Sequence, residues 1–277
     1  MPDPVPFTVD RAGVALSGEV AGEGPPVILL HGLTATRRYV VHGSRALERA
    51  GHRVLAYDAR GHGASSPAPH GTYTYPEMIA DALAVMDAMG VDRALLAGQS
   101  MGSAVALGLA LAHPGRVAGL VVITPAHRGA PSGPRALAGW DRRAAALERG
   151  GPDAFVAALE PFTMDERFQD TVRTVIRQRL ARHEHPEAVA AALREVPRSH
   201  ASDGVAALAG IGVPTLLVGS RDSSDPDHPL AVAREYERVI PGARLLVEAE
   251  GESPLAWRGG ALSKEIAAHA AACFAGR

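Results

Sequence analysis

The chain has 277 residues, a formal net charge of −2 and a hydrophobic fraction of 47%. The near-neutral charge balance gives no electrostatic footprint for nucleic acid, and the single cysteine, Cys273, excludes an intrachain disulfide. The sequence holds no zinc-type ligand spacing, no glycine-rich phosphate loop and no apolar run near the ~20 residues of a membrane span. We therefore expect one large α/β domain with an insertion, cytoplasmic, without metal or cofactor. Residues 1–10 contain acidic residues and three prolines and do not resemble a signal peptide.

The N-terminal half alternates between strand and helix patterns. Residues 7–20 hold short alternating runs that end at a turn cluster, residues 22–26. The continuous apolar run 27–30 is typical of a strand buried on both faces of a parallel sheet. The predicted elements that follow are helix 36–50, strand 53–57, helix 75–89, strand 94–97, helix 101–112 and strand 117–123.

This alternation predicts an α/β fold with a mostly parallel, doubly wound sheet. Between residues 125 and 207 the pattern changes to helical segments without a convincing strand. Strands 215–218 and 244–247 and helices 230–239 and 261–274 then resume the earlier rhythm. We expect a core of residues 1–124 and 208–277, with a helical cap, residues 125–207, inserted after the sixth strand. The cap would cover the carboxyl edge of the sheet, where open α/β sheets bind ligands.

Residues 98–102 match the pattern G-x-S-x-G. An apolar strand runs directly into this segment and a helix of small residues leaves it. A sharp strand-to-helix turn of this kind exposes a serine hydroxyl at the sheet edge, so the sequence predicts that Ser100 is a nucleophile.

Further motifs carry a family resemblance. His31-Gly32 follows strand 27–30, residues 58–65 read D-x-R-G-x-G-x-S, and the run 213–219 is followed by Asp222. Together with residues 98–102 and the turn at 240–243, they resemble the α/β-hydrolase-fold superfamily, particularly its capped serine esterases, lactonases and C–C hydrolases. The match covers nearly the whole chain apart from the helical insert.

The resemblance implies a cofactor-free enzyme with Ser100 as nucleophile. It implies oxyanion donors at the backbone N–H groups of Leu33 and Met101, and Asp222 as the acid of the catalytic triad. Asp225 and Asp227 lie close by and compete for that role, but we interpret them as a solvated acidic loop.

The expected catalytic histidine is missing. The family order is Ser, Asp, His, yet residues 248–257 carry Glu252 where the histidine should stand. One interpretation makes Glu252 the base or acid: it would lie near Asp222, and the pKa of one of these two carboxylates should rise. A second brings another histidine to Ser100: His228 on the acid loop is the alternative base, with His269 and His127 as weaker candidates. A third interpretation is that the triad has decayed and no longer forms an acyl-enzyme.

These readings lead to two functional hypotheses. The first is an enzyme that acts on a small to medium organic ester, thioester or lactone, or in a related lyase or cyclase reaction, using Ser100 with an atypical Asp222/Glu252 pair. The alternative is a non-catalytic member that binds a small molecule. We expect no nucleic-acid or membrane partner. Residues that could line the pocket, or equally pack within the cap, are Leu33, Tyr39, Met101, His127, Trp140, Phe155, Phe162 and Phe168.

Overall fold

The computed structural model describes residues 2–126, 132–159, 166–222, 225 and 227–275, without the side chains of Arg167 and Phe168. One sheet of eight strands forms its centre. The strands are β1 Val5–Arg11, β2 Val14–Ala21, β3 Pro26–Leu30, β4 Arg53–Tyr57, β5 Ala94–Gln99, β6 Val117–Ile123, β7 Thr215–Gly219 and β8 Arg244–Val247. In the part of the chain that is described, no helix is long and apolar enough to cross a membrane.

The strand order across the sheet is β1-β2-β4-β3-β5-β6-β7-β8. Strand β2 runs antiparallel to both β1 and β4, and every other pair of neighbours is parallel. The predicted fold class, a mostly parallel doubly wound sheet, is confirmed. The carboxyl ends of β3, β5, β6 and β7 consequently lie side by side along one edge.

Both faces of the sheet are buried, which explains the continuous apolar strands. On β3, Ile28 and Leu30 pack into one hydrophobic cluster, whereas Val27 and Leu29 pack into the other. Successive side chains of a strand point to opposite faces, so a strand covered by helices on both sides needs apolar residues at every position.

The helices of the described residues are α1 Ala46–Arg49, α2 Tyr75–Ala88, α3 Met101–Ala112, α4 Pro134–Ala157, α5 Glu166–Leu180, α6 Pro186–Glu195, α7 Leu230–Val239 and α8 Gly259–Ala275. Of these, α1, α2, α3, α7 and α8 contact strands of the sheet. Helices α4, α5 and α6 lie between β6 and β7 in the chain, and we call them the helical insert. The domain boundaries assigned from the sequence, at residues 124/125 and 207/208, stay a prediction.

The predicted helix 36–50 is wrong. The structure has a 3-10 turn at Arg37–Tyr39 and only the single turn of α1 after it. Between them His42 (φ 50°) and Gly43 (φ 72°) adopt left-handed conformations, which an α-helix of L-residues does not accept. The segment after β3 is therefore an irregular loop along the edge where the strands end.

Candidate active site

Ser100 occupies a strained turn between β5 and α3. Its backbone has φ 52° and ψ −110°, an uncommon conformation for a residue other than glycine. A Cβ atom on Gly98 would lie 2.2 Å from the carbonyl oxygen of Gly102, and one on Gly102 would lie 2.1 Å from that of Leu30. Both glycines of the motif are thus required by close backbone contacts, and the turn presents the serine side chain at the sheet edge.

His228 contacts the serine directly. Its Nε2 lies 2.7 Å from Ser100 Oγ, and its Nδ1 lies 2.8 Å from Oδ2 of Asp225. An ionised carboxylate can only accept hydrogen bonds, so Nδ1 carries the ring proton. The lone pair of Nε2 therefore faces the serine hydroxyl, which is the arrangement of nucleophile, base and orienting acid found in serine hydrolases.

The environment of Asp225 keeps it ionised. Burial acts to raise the pKa of this carboxyl, but the hydrogen bond from His228, the charge of His228 and the charge of Arg179 outweigh it and hold the pKa below its ordinary value. At neutral pH Asp225 therefore carries a negative charge beside the His228 ring, and it stabilises the proton on Nδ1.

The loop between β7 and α7, residues 220–229, carries both groups. The backbone N–H of His228 donates to the carbonyl oxygen of Asp225 at 3.2 Å, which closes a tight turn. From the helical insert, Arg143 forms an ion pair with Asp227 at 2.9 Å. Contacts within the loop and from α4 thus hold the imidazole against the serine.

A buried glutamate that the sequence analysis missed holds the start of this loop. Glu248 follows β8 and its side chain is buried. Its Oε1 accepts hydrogen bonds from the Ser220 hydroxyl, at 2.9 Å, and from the backbone N–H of Arg221. The sequence signal for Glu248 was an acidic residue directly after an apolar strand, but the prediction assigned the functional role to Glu252, four residues later.

The prediction that Glu252 stands beside Ser100 is wrong. Its Oε2 lies 3.4 Å from Nη2 of Arg258 and its side chain is 52% exposed. Water and a guanidinium solvate this carboxylate, so it does not enter the site, where it would have to lose its hydration. His228, which the sequence offered as the alternative base, occupies the position instead.

The assignment of the acid also needs correction. Asp225, which we interpreted as part of a solvated loop, is the carboxylate bonded to His228. Asp222 lies earlier in the same loop, and its backbone N–H donates to the Ser220 hydroxyl at 3.0 Å. The proton acceptor at Ser100 is therefore His228, bonded to Asp225, and not the predicted pair Asp222 and Glu252.

The other candidate residues fall into three groups. His269 lies on α8 with Nε2 3.3 Å from the carbonyl oxygen of Pro214, away from the serine. Phe155 packs in the core, and Trp140 stacks under the guanidinium of Arg143. Three candidates lie outside the described residues or side chains: His127, Phe162 and the side chain of Phe168.

The loop after β3 runs close to the serine. A Cβ atom on Gly32 would lie 3.4 Å from Cβ of Ser100. Among the described residues, the N–H groups of Leu33 and Met101 have no hydrogen-bond partner. Both residues are buried. Two N–H groups without a partner, next to a serine hydroxyl, are suited to donate hydrogen bonds to a developing oxyanion.

Three neighbouring histidine rings, in tilted and edge-to-face arrangements, support that loop. The ring centroids of His31 and His62 are 5.2 Å apart, and those of His62 and His183 are 5.6 Å apart. His62 Nε2 lies 2.7 Å from the carbonyl oxygen of Leu33, and His183 Nε2 lies 3.2 Å from that of Thr34. These contacts give His31 and His62 a structural role, and His183 adds a contact from the helical insert.

Burial keeps two of these rings neutral. Burial, together with a smaller contribution from the neighbouring His62, lowers the pKa of both His31 and His183 to about 3. The Nδ1 of His183 accepts from the backbone N–H of Gly63 at 2.9 Å, and His31 Nε2 accepts from that of Ala59 at 2.8 Å. At neutral pH these two rings therefore stabilise the surrounding loops through fixed hydrogen bonds. No group of three or more histidine, cysteine or carboxylate side chains is arranged to hold a metal ion in the described ranges.

The chain is similar to known proteins. A family model described as alpha/beta hydrolase fold matches residues 25–253. The Azorhizobium caulinodans protein named "Putative carbamate hydrolase RutD" is 30% identical over 82% of this chain and 83% of its own length. A Variovorax paradoxus protein of the same name is 38% identical over 142 residues, and there the match spans 52% of the relative.

Solved structures show the same fold. The enol-lactonase of Burkholderia xenovorans LB400 superposes with a TM-score of 0.77 and 28% identity, over 95% of this chain and 99% of that one. A thermophilic esterase from Thermogutta terrifontis gives a TM-score of 0.78 and 27% identity, over 96% and 97% of the two chains.

Proposed function

Because the chain belongs to the α/β-hydrolase family, we propose that it is a cofactor-free serine hydrolase with the catalytic triad Ser100, His228 and Asp225. The observation that carries this proposal is the contact of His228 Nε2 with the serine hydroxyl at 2.7 Å. Nucleophile and base within hydrogen-bond reach, and a carboxylate that orients the base, define a triad by geometry and not by position in the chain.

In the first half of the reaction, Ser100 Oγ attacks the carbonyl carbon of the substrate while His228 Nε2 takes the hydroxyl proton. The carbonyl electron pair moves onto its oxygen, and a tetrahedral intermediate forms. When this intermediate collapses, the bond to the leaving oxygen or sulfur breaks and His228 returns its proton to the leaving group. The products are an acyl-serine and an alcohol or thiol.

In the second half, a water molecule attacks the acyl carbon while His228 accepts one of its protons. The second tetrahedral intermediate releases the carboxylic acid, and the proton passes from His228 back to Ser100 Oγ. Asp225 stabilises the imidazolium in both halves because its carboxylate faces the protonated Nδ1.

The oxyanion of each intermediate would bind to the N–H groups of Leu33 and Met101. A donor of this kind typically contributes about 3 kcal/mol to transition-state stabilisation. His62 holds the carbonyl group of Leu33, so the loop is already ordered before the charge develops.

The substrate class is an organic ester, thioester or lactone of small to medium size. The names of two structural neighbours, an enol-lactonase and an esterase, support this class for a chain that they resemble over nearly its full length. The helical insert would act as a cap that limits substrate size and excludes bulk water.

A fluorophosphonate probe tests the triad. We expect rapid covalent labelling of the wild-type protein, complete loss of labelling in Ser100→Ala and a loss of at least about 100-fold in rate in His228→Ala. His269→Ala is the matched control and should label at the wild-type rate. An unlabelled wild-type protein that still binds small esters tightly would contradict the proposal and favour a non-catalytic binding protein.

A further inference from the structure

Arg179, near the end of α5, has a buried donor without a partner. Its Nε is inaccessible to solvent and forms no hydrogen bond in the described part of the protein. Burial lowers the pKa of its guanidinium, against the opposing charges of Asp225 and Tyr39. An inaccessible N–H of a cation that forms no hydrogen bond is costly to keep, so this arrangement favours an anionic partner.

The surroundings of Arg179 place it beside the proposed triad. Its charge acts on Asp225 and on the ring of His42, so it lies near a residue of the loop that carries His228 and near a residue of the loop that follows β3. His183, four residues later, contacts the carbonyl oxygen of Thr34 in that second loop. Arg179 thus belongs to the helical insert and lies near Asp225, the carboxylate bonded to His228.

The described carboxylates do not neutralise this arginine. Oδ2 of Asp225 accepts from His228, and among the described side chains no carboxylate lies within the 4.0 Å ion-pair distance of Arg179. Two other arginines of the insert are paired: Arg143 with Asp227 and Arg177 with Asp153. Among the described side chains, Arg179 therefore has no ion-pair partner that would compete with a ligand.

We propose that Arg179 binds a carboxylate carried by the substrate, so that the enzyme prefers esters, thioesters or lactones with a free carboxylate. This inference rests on the proposed function and extends it to a substrate class. The planar guanidinium matches a carboxylate in a two-bond geometry. A single arginine next to the anionic Asp225 suits a monoanion better than a dianionic phosphate, because the second negative charge would be repelled.

Two matched substrates test the proposal, p-nitrophenyl hydrogen pimelate and p-nitrophenyl methyl pimelate. They differ only in whether the distant carboxyl is free or methylated. The wild-type enzyme should cleave the free acid with the higher kcat/KM. Arg179→Gln should lower that value about 10- to 100-fold more than it lowers the value for the methyl ester, and the extra loss should lie mainly in KM. Loss of the charge beside Asp225 affects both substrates equally. Arg179→Lys should recover part of the loss.

Arg177→Gln is the control on the same helix, because its side chain pairs with the exposed Asp153. It should leave both substrates unchanged. Equal losses for both substrates in Arg179→Gln would overturn the inference and assign Arg179 to the support of Asp225. Absence of any preference in the wild-type enzyme would overturn it as well.

Direct binding separates this inference from the proposed function. Monomethyl pimelate should bind to wild-type protein and to Ser100→Ala in calorimetry, and Arg179→Gln should weaken its binding by about 10-fold or more. Dimethyl pimelate should show no such dependence. If binding depends on Arg179 but the enzyme hydrolyses no ester, the proposed triad is contradicted and the carboxylate site stands. If the enzyme hydrolyses esters but binding does not depend on Arg179, the carboxylate site is overturned and the triad stands.

Discussion

Asp225 and His228 are separated by three positions on one loop, and Nδ1 of the histidine lies 2.8 Å from Oδ2 of the aspartate. Acid and base therefore both follow β7, whereas the family order leads one to expect the histidine after the last strand. The loop before α7 brings the ring of His228 to Ser100 in place of a residue after β8.

The first prediction concerns the base. His228→Ala should lower kcat for an activated ester by at least about 10³-fold, because the serine loses its proton acceptor. Glu252→Gln should stay within about threefold of wild type, since the Glu252 carboxylate is exposed and paired with Arg258. Steady-state kinetics on both variants decides between the two residues, and the reverse pattern would restore glutamate as the base.

The second prediction compares the two aspartates. Asp225→Asn should lower kcat by about 10²- to 10⁴-fold, because an amide that donates to Nδ1 moves the ring proton to Nε2, toward the serine. Asp222→Asn lies on the same loop and should retain kcat within about threefold. Loss of activity in Asp222→Asn with an active Asp225→Asn would return the acid to the position expected from the family pattern.

The third prediction concerns Glu248. Replacement by Ala leaves the Ser220 hydroxyl and the Arg221 N–H without their acceptor, so the free energy of unfolding should fall by about 2–4 kcal/mol. Because the loop that carries His228 starts there, kcat should fall about 10-fold with little change in KM. Glu250→Ala, at an exposed position two residues later, is the control and should alter neither urea unfolding nor kinetics.

A fourth prediction tests the packing of the nucleophile turn. Gly102→Ala places Cβ 2.1 Å from the carbonyl oxygen of Leu30, which is backbone and cannot rotate away. We expect a loss of about 2–3 kcal/mol in unfolding free energy and of most activity. At Gly115 a Cβ meets no atom within 4 Å, so Gly115→Ala should change stability by less than about 0.5 kcal/mol. Similar stabilities for the two variants would contradict the close approach.

The fifth prediction is a pH dependence of stability. Burial lowers the pKa of His183 to about 3, so between pH 6.5 and 3 the unfolded chain binds a proton that the folded chain does not. Stability therefore falls with falling pH in this window, and one such histidine removes about 2 kcal/mol between pH 7 and pH 5. His31, with the same direction and cause, adds a similar amount.

His183→Asn tests that pH dependence. The variant should lose stability at pH 7, because the contact with the carbonyl oxygen of Thr34 is lost. Its decrease in unfolding free energy from pH 7 to pH 5 should be about 2 kcal/mol smaller than that of the wild type. The exposed His70 provides the control His70→Asn, which should follow the wild-type curve. Parallel curves for wild type and His183→Asn would show that His183 titrates normally.

The fold was predictable because its signals are local. Apolar strands such as 117–123 and the small-residue helix 101–112 begin and end where predicted, since burial on both sheet faces requires an apolar residue at each position. The helix predicted at residues 36–50 was wrong because the conformation of this segment depends on packing and not on a local pattern. Its composition suits a helix. The left-handed turn at His42 and Gly43 is fixed by packing in the loop, and the spacing of apolar residues does not indicate it.

What the sequence by itself determined is the sheet, the helices around it and the serine at its edge, because glycines at fixed spacing and apolar periodicity act over a few neighbouring residues. Only the tertiary structure decided which side chains meet that serine. His228 reaches it across 128 positions of sequence, whereas Glu252, in the position that the pattern favoured, turns outward to Arg258. The physical reason is solvation: the Glu252 carboxylate keeps its water and a guanidinium at the surface, while the imidazole of His228 is hydrogen-bonded to Asp225 and to the serine in a site partly removed from water.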